Sequence, residues 1–190
     1  EIPVLRTAAV PLMLLSQTVR AQGYKVVLTG EGADEVLGGY DIFKEGKIRR
    51  FWARDPQSTM RPRLFERLYP YLLTSPTASP AYARRFFGQD LDRSDAPYFG
   101  HMPRWQTTAR MWQFFSAEAQ SQLRGFDAHA RVAAMLPHAI GEWNGLNQDQ
   151  YVEAHTLLSG YLLCSQGDRM AMANSIEGRF PFLDHNFILN

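Results

Sequence analysis

Apolar residues recur at helical spacing over residues 8–21, where Ala9, Leu12, Met13, Leu15 and Val19 share one face and Gly23 ends the run. Pro11 falls early enough for a first turn. The period then changes. Residues 24–29, Tyr-Lys-Val-Val-Leu-Thr, form a short β-branched run bounded by Gly23 and Gly30, which predicts a buried strand. The strand feeds into Gly30-Glu31-Gly32-Ala33-Asp34-Glu35-Val36-Leu37-Gly38-Gly39-Tyr40, read as a glycine turn and a helix starting near Ala33. Helix, strand, glycine turn and helix in this order predict a parallel α/β sheet.

From Tyr40 onward the pattern is helical and interrupted. Helices are expected over 41–54, 63–73, 81–87, 105–115, 117–125 and 127–135, the last capped by Asp127. Residues 75–80 read as a proline-punctuated loop and 88–104 as irregular. The strongest helical period runs over 148–164, with Tyr151, His155, Leu158, Tyr161 and Leu162 along one stripe. Asp168 and Asp184 are each placed to cap a helix, and Glu177 and Arg179 are expected to form a partly buried pair. No second strand is evident, so the remaining strands of the sheet are expected in chain outside this sequence.

Composition narrows the class. A 45% hydrophobic and 21% charged content excludes a disordered tail. Twenty Lys and Arg against nineteen Asp and Glu leave +1, so no overall charge draws the chain to nucleic acid or to a membrane. No apolar run reaches the ~18–20 residues that cross a bilayer, and the first residues show no secretory signal. The single cysteine, Cys164, lies in an apolar run and is expected to be a buried, inert thiol. The five histidines lack ligand spacing for zinc. These features predict one cytoplasmic globular domain over residues 1–190. Arg49, Arg50, Arg54, Arg61, Arg63 and Arg67, with Phe51 and Trp52 among them, read as a solvated helical face with aromatics packed inward. Docking to an absent domain, or nucleic-acid binding through phosphate contacts, is the alternative reading of that stretch.

The candidate chemistry sits at the strand's carboxyl end, where parallel sheets hold their ligands. Glycines at 30 and 32 let backbone approach a ligand, and the following helix start offers unpaired N–H groups. Carboxylates at Glu31, Asp34 and Glu35 repel phosphate unless Mg²⁺ bridges the two. Asp34 and Glu35 could equally do no more than favour the helix dipole. A second string, residues 166–185, holds Asp168-Arg169 and Glu177-Gly178-Arg179-Phe180-Pro181-Phe182-Leu183-Asp184. Arg169 reads either as a phosphate partner or as a surface arginine.

The string from Val27 to Tyr40 resembles the Ser-Gly-Glu-Gly-Ser/Ala-Asp-Glu signature of glutamine-dependent asparagine synthetases. The string from Asp168 to His185 is similar to the family's Asp-Arg-Met-Ser-Met-Ala-His-Ser-Leu-Glu…Arg-Val-Pro-Phe-Leu-Asp segment. The resemblance implies a helix-rich piece of an adenine-nucleotide alpha-hydrolase-like (PP-loop ATP pyrophosphatase) parallel-sheet domain. It implies ATP and Mg²⁺, adenylation of aspartate, and displacement of AMP by ammonia that an amino-terminal glutaminase domain releases from glutamine. Thr29, Gly30 and Gly32 would contact the nucleotide, Glu31 would serve the acyl-adenylate, Asp34 would hold Mg²⁺, and Arg169 would meet the pyrophosphate. Thr29 replaces the family's Ser, Leu37 a common Phe, and Gln166 a common Lys. The family's Ser-Gly-Gly-x-Asp-Ser loop and glutaminase cysteine are absent from this string, so the piece is expected to begin after both and to be inactive alone. Related carboxylate chemistry of the β-lactam synthetase kind, or a non-catalytic helical interaction module, are the alternatives. A homodimer could form through apolar surface left by the missing strands.

Overall fold

The computed structural model describes residue 4, residues 6–71 and residues 79–189. The α-helices are α1 (Ala9–Ala21), α2 (Ala33–Leu37), α3 (Asp41–Ala53), α4 (Pro80–Phe87), α5 (Met102–Ala109), α6 (Ala117–Gln122), α7 (Ala128–Ala133), α8 (Gly145–Glu153), α9 (Arg169–Met172) and α10 (His185–Leu189). Two strands, β1 (Val26–Leu28) and β2 (Glu177–Arg179), make a small parallel sheet in register Val26–Glu177, Val27–Gly178, Leu28–Arg179. The fold is a helix-rich α/β arrangement. Most of the loop expected at 75–80 lies outside the described residues, although Ser79 caps α4 by accepting from Tyr82 N. No helix among the described residues is long and apolar enough to cross a membrane.

The chain groups into two compact units, one built from the segments up to Gly39 and from Glu153 onward, the other from Tyr40–Val152. In the first, α1 carries the expected face but buries few side chains. Its firmest tie is polar: the buried Ser16 hydroxyl donates to Met170 O (2.9 Å) and accepts from Asn174 Nδ2 (2.7 Å). Thr29 N donates to Arg179 O (3.0 Å) and Glu177 N to Lys25 O (2.8 Å). Backbone groups of 25, 27 and 29 therefore face β2, while those of Val26 and Leu28 face away. Leu28 is 72% exposed, so the strand is not buried as the sequence predicts.

Between α8 and α9, Ala154–Asp168 winds as a π-helix. Its i→i+5 winding dissolves the 3.6-residue stripe expected there. Leu158 is buried, His155 is exposed, and Cys164 is exposed rather than buried. Gly167 is confined beneath Leu162 O, which a Cβ would approach to 2.9 Å. The chain runs helically through Asp168, which makes no capping bond, contrary to expectation. Asp184 caps α10 as expected, accepting from Asn186 N at 2.8 Å. Arg179 Nε and Glu177 Oε1 pair at 2.8 Å, but both side chains are exposed.

The Tyr40–Val152 unit has a dense core. Phe65 stacks on Phe87 with ring centroids 4.0 Å apart, in a cluster that includes Trp52, Phe99, Met102 and Val152. Each such side chain contributes about 1.5–3 kcal/mol. The core also contains ions. Arg49, fully buried, donates Nε to Phe87 O (2.9 Å), Nη2 to Gln89 O (2.6 Å) and Nη1 to Phe99 O, with the Phe99 ring 3.9 Å beneath it. Burial draws its pKa down to about 10, so it remains a cation at neutral pH. Glu45 accepts from Arg104 and Tyr69, and burial raises its pKa more than Arg104 lowers it. Asp149, fully buried, takes both Nη1 (2.6 Å) and Nη2 (2.9 Å) of Arg50. Gly46 and Gly100 close on it, since a Cβ at either would lie 2.5 Å from an Asp149 oxygen. The basic stretch is thus partly internal. Of its aromatics Trp52 packs inward, but Phe51 is exposed, with the half-buried Arg61 over its ring at 4.6 Å.

Candidate active site

The turn after β1 is shaped by two left-handed glycines, Gly32 (φ 91°) and Gly38 (φ 70°). Ala33 N donates to Gly30 O (3.1 Å) and Val36 N to Gly32 O (2.9 Å), wrapping the chain immediately into α2. Gly32 is doubly required, because a Cβ there would collide with the Leu183 side chain. The two motifs singled out in the sequence therefore touch: the Phe180–Leu183 turn packs on the glycine bend. α2 spans only five residues, so the helix-terminus donors and dipole expected from the sequence are weak.

A cavity of about 260 Å³ opens beside this turn. Leu12, Leu15 and Val19 of α1 and Val27 of β1 form apolar walls, and Thr29, Glu31 and Asp168 bring polar groups to it. Among the described residues the Thr29 hydroxyl, in this lining, and Arg169 Nη1, outside it, are both buried without a hydrogen-bond partner. A buried donor left unsatisfied costs about 1–3 kcal/mol. Two of them, one at the strand end and one directly after Asp168, are suited to an anionic acceptor. The Tyr161 hydroxyl is a third such group, with the Arg6 guanidinium 4.8 Å above its ring.

The structure does not gather every candidate. Glu31 is half-buried at the cavity, whereas Asp34 is exposed and lies outside its lining, its carboxylate held against Gly39, where a Cβ would collide with it. Gly30 and Gly32 shape the turn rather than the cavity wall. Glu35 is buried, so Asp34 and Glu35 do point to different surroundings. Among the described residues no three His, Cys, Asp or Glu side chains converge as a metal cluster. Sequence reasoning missed Ser16 and Asn174, which join α1 to the second motif. The available signal was a serine interrupting the apolar face of α1 between Leu12 and Val19.

Comparison with known proteins bears on this geometry. The asparagine synthase family model matches residues 1–189. The amidase chry2 of Gibberella zeae is 27% identical over 194 residues, covering 98% of this chain and 28% of that protein. A putative glutamine-hydrolyzing asparagine synthetase of Mycobacterium tuberculosis is 30% identical over 185 residues, 96% of this chain and 26% of that protein. Asparagine synthetase 1 of Saccharomyces cerevisiae is 53% identical over 38 residues, 20% of this chain and 7% of that protein. The chain spans about a quarter of the length of the curated relatives it matches from end to end. No solved structure matches it. With the family model covering all but the last residue, and a glycine bend and a Phe-Pro-Phe-Leu turn that pack on one another, the chain belongs to the asparagine synthase family.

Proposed function

We propose that this chain forms part of the synthetase site of an ATP-dependent amide-forming ligase, of the PP-loop pyrophosphatase type. That ligase adenylates the aspartate side chain and releases asparagine on attack by glutamine-derived ammonia. The observation that supports the reading is the buried Thr29 hydroxyl, without a hydrogen-bond partner among the described residues, beside an apolar cavity at the strand's carboxyl end. Arg169 Nη1, likewise buried and unpartnered, lies outside the cavity lining, directly after the lining residue Asp168. The cavity's apolar walls suit the flat face of a nucleobase. Thr29 and the Gly30 backbone would meet the nucleotide where β1 ends. Arg169 would donate to pyrophosphate oxygens, stabilising charge as the leaving group departs.

Glu31 and Asp168 line the cavity and Asp34 does not, so Mg²⁺ would rest on a single exposed carboxylate together with the substrate's own phosphates and water. Asp34, on the exposed side of the turn, would be that carboxylate. Bound there, the ion would supply neutralisation of phosphate charge. Glu31, reaching the cavity from the same bend, would accept a proton from ammonia as it attacks the acyl carbon and AMP leaves. Adenylation is in-line displacement, so alignment and charge stabilisation are what the protein must provide.

The test uses the full-length protein that carries this sequence, with pyrophosphate release measured against aspartate. Glu31→Gln is expected to lower turnover by about 10²–10³-fold with an unchanged melting temperature, and Arg169→Leu to raise the requirement for ATP. Unchanged turnover in Glu31→Gln would remove the role given to that carboxylate. Two relatives, of Gibberella zeae and Penicillium rubens, are named amidases and not asparagine synthetases, which keeps open a second reading in which the acceptor is a carboxylate other than aspartate. Pyrophosphate release that ignores aspartate but responds to another acid would select it.

A further inference from the structure

A second pocket lies in the unit that holds the cavity beside Thr29, and the two share no lining residue. Arg6, Thr7 and Ala8, which lead into α1, form one side, and Tyr161, Leu162 and Gln166 of the π-helix form the other. The pocket measures about 570 Å³ and is open to solvent.

Its polar groups are donors that the fold leaves unused. They are the Arg6 guanidinium, the hydroxyls of Thr7 and Tyr161, and the Gln166 amide. Among the described residues none of these side chains makes a hydrogen bond or an ion pair. Arg6 is exposed, and its guanidinium rests over the Tyr161 ring at 4.8 Å, a contact with the ring face that takes up no N–H donor. Tyr161 is half-buried, but its hydroxyl oxygen is fully buried. A buried hydroxyl without an acceptor carries a desolvation cost that a bound acceptor removes.

Charge and shape select the ligand. Among the described residues the lining holds one cation and no carboxylate, so the pocket favours a single negative charge. The planar guanidinium fork matches the two oxygens of a carboxylate. Ala8, Leu162 and the Tyr161 ring offer apolar surface to a short hydrocarbon body. A phosphate monoester carries close to two charges at neutral pH and would leave one of them unbalanced. We propose that this pocket binds the carboxylate of a small organic acid, with Arg6 as its ion-pair partner and Tyr161 and Gln166 as neutral donors. The site is independent of the ligase reading, in which none of its six residues has a part.

The experiment titrates the full-length protein that carries this sequence with butyrate, followed by calorimetry. Butyramide, its uncharged counterpart of equal shape, and inorganic phosphate are the other arms. Saturable one-to-one binding of butyrate is expected, at least about tenfold tighter than either. Arg6→Gln should weaken it by about tenfold or more with the melting temperature unchanged, because the side chain is exposed. Tyr161→Phe should weaken it several-fold. Without butyrate the same substitution should leave the melting temperature unchanged or raise it, since it deletes a hydroxyl that lacks a partner. No saturable binding, equal affinity for butyrate and butyramide, or indifference to Arg6→Gln would overturn the proposal. Phosphate bound as tightly as butyrate would assign the pocket to phosphate groups, and would overturn it equally. So would a lower melting temperature of ligand-free Tyr161→Phe, which would show the hydroxyl to be bonded within the protein.

Discussion

The two units are built on opposite economies of packing. The Tyr40–Val152 unit carries fifteen Lys and Arg against eleven Asp and Glu, and takes several of these charges inside, each with partners. The unit that holds the candidate site carries five against eight and has two three-residue strands, a short α2 and few buried large side chains. Buried ion pairs are weak sources of net stability, but breaking one leaves an uncompensated charge or orphaned acceptors at a cost of several kcal/mol. The Tyr40–Val152 unit is therefore brittle to single substitutions inside it. The site-bearing unit leaves the Thr29 hydroxyl unsatisfied, among the described residues, beside a cavity, a cost that is recovered only when a ligand bonds to it.

The largest effect is expected at Arg49. Replacing it with Ala orphans the carbonyls of Phe87, Gln89 and Phe99 and should remove about 3–5 kcal/mol, read as a collapse of the denaturant midpoint. A loss below about 1 kcal/mol would erase the contrast between the units. Next comes Ser16→Ala in the site-bearing unit, which removes the hydroxyl from Met170 O and from Asn174 Nδ2 and leaves Asn174 only its longer contacts to Met13. A loss of about 1–2 kcal/mol is expected, seen as faster amide exchange in α1, with the core around Phe65 unaffected.

The smallest effect is a pH slope. Burial holds the folded Glu45 carboxyl above its usual value of 4.5, so the folded state grips that proton more tightly than the unfolded chain does. The resulting stability is complete below the unfolded value and is lost as pH rises through the folded one. Glu45→Gln should remove that part of the decline. Denaturant melts at matched pH values check the difference, and parallel slopes in the two proteins would exclude Glu45 as its source.

Local features were legible in the chain. The β-branched run with glycines on either side became β1, Asp127 and Asp184 cap helices, and the Gly-Glu-Gly string folds as a tight bend at the strand end. What escaped is nonlocal. β2 consists of Glu-Gly-Arg, with no β-branched residue and no alternation of its own, and is a strand only because β1 pairs with it. Arg49 sits among exposed-looking arginines, and nothing nearby in sequence foretells three carbonyls from residues 87–99. Cys164 is exposed although its neighbours Leu162 and Leu163 are apolar, because local composition does not say which way a side chain faces. Of the candidate site, Thr29 and Glu31 meet at the cavity as their adjacency suggests, but Asp34 turns away against Gly39.

The pairing of Leu28 with Arg179 carries a consequence for the order of assembly. About 150 residues separate those partners, and the whole of Tyr40–Val152 is threaded between them. On a ribosome that middle stretch can condense while β1 still waits for its neighbour to be synthesised. Closing so long a loop is entropically slow, so the cavity beside Thr29 should be the last part of the molecule to become competent.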